Sequence, residues 1–238
     1  MNILVNGSSL SRGPGSWPYF LMNKLDPAPN LVNLACAGSG NTYLHESTVS
    51  ELSLRKYDLV IIQWAYTNRL DIRVKNIHKF NDSEYTSNAQ IKFNDWPEKK
   101  IWPINDTEYI QNNWVFGCGY INTPEVPSLN SLFSEYYKHT TEDEHLFASL
   151  IKMISLQNTL KALGIPYLFT TYRPLKQFPR FVNLYNLLDF SNFYAGEHLY
   201  TTAMNNNNAL DETDHPYPFV HEIYADNLYE ELLKRSLI

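Results

Sequence analysis

The chain has 238 residues, 44% of them hydrophobic and 18% charged, which is long enough for one large domain with a buried core and too apolar for a disordered chain. Its formal net charge of −6, without any extended basic cluster, argues against nucleic acid as the main partner, because phosphate neutralisation needs a concentrated positive face. No apolar run approaches a membrane span, no leader pattern precedes the first strand, and Cys36 and Cys118 give neither a disulfide framework nor a zinc spacing, so the expected protein is soluble and cytoplasmic.

Asn2–Val5 reads as a short buried strand that breaks into the stretch NGSSLSRG. Two small hydroxyl residues after a glycine suit a loop with a helix N-cap, and equally a nucleophile held at a strand end. Trp17–Lys24 has helical spacing, with Ser16 as N-cap and Pro18 in the first turn. Asn30–Cys36 reads as a second strand, followed by Gly38-Ser39-Gly40-Asn41 and a helix over Asn41–Leu54. Tyr57–Trp64 is a continuous apolar, β-branched run of the kind found at the centre of a parallel sheet.

From about Asp71 to Thr140 the periodicity dissolves, and Trp96, Trp102 and Trp114 stand among Asn, Asp, Lys and Pro. This segment is expected to be an insertion or lid within a single domain spanning 1–238. Glu142–Leu163 predicts a long helix closed by Gly164, and Pro166–Tyr172 another central strand. Asn205–Asn208 reads as a solvated loop, and the chain from Pro218 onward as an amphipathic helix. This alternation predicts an α/β protein with a parallel sheet flanked by helices, whose ligand sits at the carboxyl ends of the strands. Three such ends carry small or polar residues: Gly7-Ser8-Ser9, Gly38-Ser39-Gly40-Asn41 and Thr67-Asn68-Arg69.

Taken with the C-terminal Asp211-Glu212-Thr213-Asp214-His215-Pro216, these blocks, in their order across nearly the full chain, resemble the SGNH (GDSL-type) hydrolase superfamily. The start Asn-Gly-x-Ser, the early Trp-Pro and the Trp…Arg pair after the third strand resemble a divergent subgroup of bacteria and phage. The resemblance implies a flavodoxin-like three-layer sandwich with a central parallel sheet, here with an aromatic-rich insertion. It implies Ser9 as nucleophile, with Ser8 where the family has Asp, His215 as general base and Gly38 as an oxyanion donor. The third block departs from the family's Gly-x-Asn-Asp: Trp64-Ala65-Tyr66-Thr67-Asn68-Arg69 offers Asn68 as the third donor if the loop is one residue longer, with Arg69 as a substitute cation. Trp64 and Arg69 are the expected substrate-binding residues. The acid partner is Glu212 or Asp211, ahead of Asp214.

The expected activity is hydrolysis of a small acyl ester, an O-acetyl group on a carbohydrate being the favoured substrate. The alternatives are an O-acyltransferase using the same triad and an inactive, glycan-binding or assembly protein on the same fold. No cofactor is implied, and no metal: His139, Glu142 and His145 wander round a helix, and His221 reads as a packing residue. The expected partner is a small-molecule or glycan ester, with neither nucleic acid nor membrane. A phage origin would make the protein virion-associated.

Overall fold

The computed structural model describes residues 1–73, 114–118, 134–212 and 214–238, with backbone alone at 73 and 114–118. Four parallel strands, β1 (Asn2–Asn6), β2 (Asn30–Asn33), β3 (Leu59–Trp64) and β6 (Tyr167–Thr171), form a sheet in the order β2-β1-β3-β6. This is the flavodoxin-type order up to its fifth position. Beside β6, Phe193 makes an isolated parallel bridge to Phe169, a single residue pair where a fifth strand would run.

Side-chain alternation along the strands separates two cores. Ile3, Val5, Leu31, Leu59, Ile61 and Leu168 face α1 (Trp17–Met22) and α6 (Pro218–Lys234), around Trp17 and Tyr224. Leu4, Val32, Val60, Ile62, Trp64 and Phe169 face α2 (Asn41–Leu54) and α3 (Glu142–Leu163), around Tyr43, Leu150 and Met153. Burial on both faces is what lets β3 read as an unbroken apolar run, and it makes the molecule a three-layer sandwich.

Helix α3 has the bounds its periodicity predicts. Thr141 starts it with a reciprocal capping box to Glu144, and Gly164 ends it with φ +66°. Strand β2 stops at Asn33, three residues before the expected end, because Asn33 Oδ1 takes the Ala35 N–H and its Nδ2 donates to the Ser11 carbonyl. The short helices α4 (Val182–Tyr185) and α5 (Leu199–Asn205) lie in a stretch with no clean period. The asparagine run ends α5, with Asn207 and Asn208 in the left-handed region that asparagine tolerates better than most residues. Within the expected insertion, β4 (Arg69–Arg73) pairs antiparallel with β5 (Trp114–Cys118), and residues 134–139 are helical. The rest of that segment, with Trp96 and Trp102, lies outside the described residues. Among the described residues, no helix is long and apolar enough to cross a membrane.

Candidate active site

The end of β1 is built to turn. Asn6 is fully buried and its Nδ2 donates to the Leu44 carbonyl, Ser47 Oγ and Thr48 Oγ1 on α2, while its Oδ1 accepts the Gly7 N–H. A charged residue could not be satisfied there as completely. Gly7 is required by a close approach: a Cβ would stand 2.2 Å from Ser11 Oγ, which is itself held by Gln63 and Trp17. The chain then enters a single 3-10 turn, Ser9–Ser11, whose first side chain meets the other end of the sequence. Ser9 Oγ lies 2.8 Å from His215 Nε2, across 206 residues.

The second strand end supplies the loop Gly38–Gly40. Gly38 has φ +79°, and Ser39 Oγ ties the loop to the carbonyls of Cys36 and Gly7. Helix α2 starts at once, and its N-cap position is Gly40, which has no side chain to offer. Asp71 of β4 takes that role from across the molecule. Its Oδ1 accepts the Gly40 N–H at 2.6 Å and its Oδ2 the Tyr43 N–H at 2.8 Å. Burial pushes this carboxyl up to about 6, against the pull of the backbone N–H donors and Arg69. Arg69, two residues earlier, donates from Nη1 to the Ser39 carbonyl, so this expected substrate-binding cation is engaged in holding the loop.

In the third block, Asn41 latches onto Ala65 through both amide atoms, and Tyr137 Oη bridges the Asn68 carbonyl and the Leu70 N–H. Asn68 thus sits in a fixed turn directly after the sheet. Trp64 does not join the site: it is fully buried, with its ring edge-on to Phe169 in the core. Its place is set by strand parity with Val60 and Ile62, which overrides its position at the strand end.

The C-terminal side of the site is the turn Asp211–His215. The Asp211 N–H donates to the His215 carbonyl, and Asp211 Oδ1 accepts the His215 N–H. Asp214 pairs with Arg173, whose Nη2 lies 2.9 Å from Asp214 Oδ2. Glu212 is exposed in the turn. His221, on α6, is buried; its Nδ1 accepts the Trp17 N–H at the start of α1, and its ring also meets the Pro216 carbonyl. Ser16, the expected cap of α1, instead donates its hydroxyl to the Gly13 carbonyl. Burial, with the His215 charge next, holds His221 down at about 4. In the rejected metal grouping, His145 faces Thr140 and His139 faces Glu135.

Sequence reasoning passed over Asp71, Arg173 and the capping role of His221. The one local signal was Gly40 opening a helix with no side chain to cap it, which demands a cap from elsewhere.

Compared with solved structures, the chain resembles esterase EstA from Pseudoalteromonas, solved inhibited by monoethylphosphonate, with 11% identity, a TM-score of 0.53, and coverage of 98% of this chain and 97% of that one. It has an SGNH/GDSL hydrolase-like fold. Also similar are protein YXIM of Bacillus subtilis, at 12% identity and TM-score 0.48 over 99% of this chain and 56% of that one, and a lipolytic G-D-S-L family protein of Veillonella parvula, at 11% and 0.38 over 97% of each. No family model matches the sequence, and no curated protein matches it.

Proposed function

We propose that the protein is a serine ester hydrolase in which Ser9 is the nucleophile and His215 the general base. The observation that carries this reading is the 2.8 Å approach of Ser9 Oγ to His215 Nε2 at the carboxyl end of a parallel sheet. His215 takes the Ser9 proton as Oγ attacks the ester carbonyl. The backbone N–H groups of Ser9 and Gly38, with Asn68 on the third loop, receive the oxyanion. The alcohol leaves with the proton from His215, and water releases the acyl group from Ser9 by the same route. Asp211, already bonded to the His215 backbone, is the first acid to test as partner of the imidazole, and Glu212 the second.

The substrate in this proposal is a small acyl ester, an O-acetyl group on a carbohydrate. Its support is the aromatic content near the site: Tyr217 and Phe219, two and four residues past His215, are half-exposed with near-parallel rings, a surface that suits a sugar face. Turnover of p-nitrophenyl acetate and acetate release from O-acetylated saccharides test both levels. Activity in wild type that falls by on the order of 10⁴ or more in Ser9→Ala and in His215→Ala is expected. Hydrolysis of p-nitrophenyl acetate that is unchanged in Ser9→Ala would exclude the mechanism. Acetyl transfer to a sugar hydroxyl in preference to water would reassign the protein as a transferase.

A further inference from the structure

The bonds inside Asp211–His215 shape that turn without aiming it. Asp214 stands at its corner with φ +64°, in the left-handed region that aspartate, like asparagine, tolerates better than most residues. Two groups from the end of β6 grip this corner. Tyr172 Oη donates to the Asp214 carbonyl at 2.9 Å, and Arg173 Nη2 donates to Asp214 Oδ2 at 2.9 Å. Arg173 is itself confined. Its guanidinium carbon lies 3.6 Å from the centroid of the Tyr200 ring, 5.0 Å from that of Tyr66 and 5.7 Å from that of Tyr172.

We propose that Arg173 is a positioning residue for the base: held among three tyrosines, it fixes Asp214 and thereby the direction in which His215 points at Ser9. The proposal rests on the reading of His215 as the general base. It explains why an arginine and not a lysine follows the strand, since a planar guanidinium can lie on Tyr200 while its edge bonds a carboxylate, and an ammonium cannot. It also gives Asp214 a purpose distinct from a triad acid. A salt bridge this exposed contributes little to stability, so its value lies in geometry. A displacement of the imidazole by about an ångström is enough to cost on the order of 100-fold in rate.

The test compares Arg173→Ala, Arg173→Lys, Asp214→Asn and the double variant Arg173→Ala/Asp214→Asn with wild type, using p-nitrophenyl acetate. Arg173→Ala is expected to lower kcat by on the order of 10- to 100-fold with KM within about twofold, and Arg173→Lys to recover part of that loss. The double variant should lose no more than the worse single variant, because both act through one contact. A rise in KM with kcat preserved would overturn the proposal and make Arg173 a substrate contact, as would full activity in Arg173→Ala. Imidazole ¹⁵N NMR of folded protein reads the same claim without turnover. The His215 Nε2 resonance should move in Arg173→Ala toward its position in Ser9→Ala, and an unmoved resonance would refute the positioning role. Wild type that hydrolyses nothing while this shift appears would sink the esterase reading and leave the positioning role standing.

Discussion

Helix α2 starts at the Gly38 loop and helix α1 starts beside the Ser9 turn, and neither is capped by its own sequence. At α2 the cap is a carboxylate, Asp71, brought in by β4; at α1 it is an imidazole, His221, brought in by α6. Both are buried, and burial moves them in opposite directions, Asp71 up to about 6 and His221 down to about 4. Each shift opposes the charged form, yet the charge is gained at opposite ends of the pH scale. One structural device, a cap imported from a distant element, thus leaves the Gly38 loop and the start of α2 weakened by rising pH, and the start of α1 beside the Ser9 turn weakened by falling pH.

The largest expected effect follows from that opposition. Between pH 4 and 6 folded Asp71 holds a proton that the unfolded chain has released, so its contribution to stability falls by about 3 kcal/mol as pH rises. Over pH 4 to 6.5 the unfolded chain protonates His221 where the folded one does not, so that contribution grows by about 3 kcal/mol as pH rises. In wild type the two nearly cancel. Urea unfolding at several pH values should therefore show stability rising with pH in Asp71→Asn and falling in His221→Gln, relative to wild type. Slopes of the same sign would break the comparison.

Smaller is the effect of crowding one cap. A Cβ at Gly40 would stand 2.6 Å from Arg69 Cβ and 3.1 Å from the Arg69 carbonyl oxygen, so Gly40→Ala pushes β4, and Asp71 with it, off the start of α2. A loss of about 1–3 kcal/mol in unfolding free energy is expected, with the proposed esterase activity falling alongside it. Smallest is a control on a helix that caps itself: Thr141→Ala removes the capping box of α3 and should cost about 1 kcal/mol while leaving kcat and KM unchanged.

The fold was legible wherever local pattern decides it. The buried strands around Leu4, Ile61 and Phe169 and the two long helices follow from periodicity, and Gly164 marks its helix end by its freedom at positive φ. Ser9, Gly38 and His215 could be proposed from the order of their blocks alone. What the sequence hid was non-local. Nothing near Gly40 announces Asp71, and nothing near Trp17 announces His221, because a cap in trans leaves no spacing to read. Trp64 was misjudged for a different reason: its place at the strand end suggested the cleft, whereas alternation from Val60 and Ile62 already put it in the core. Arg173 was invisible because its three tyrosines come from three separate segments.

The most direct test of the Ser9–His215 pair is labelling with a fluorophosphonate, which forms a phosphorus–oxygen bond to an activated serine and releases fluoride. Intact mass and peptide mapping should show one adduct, on Ser9, in wild type and none in folded Ser9→Ala or His215→Ala. Folded wild-type protein that takes no label, or a label on any other serine, would contradict the account.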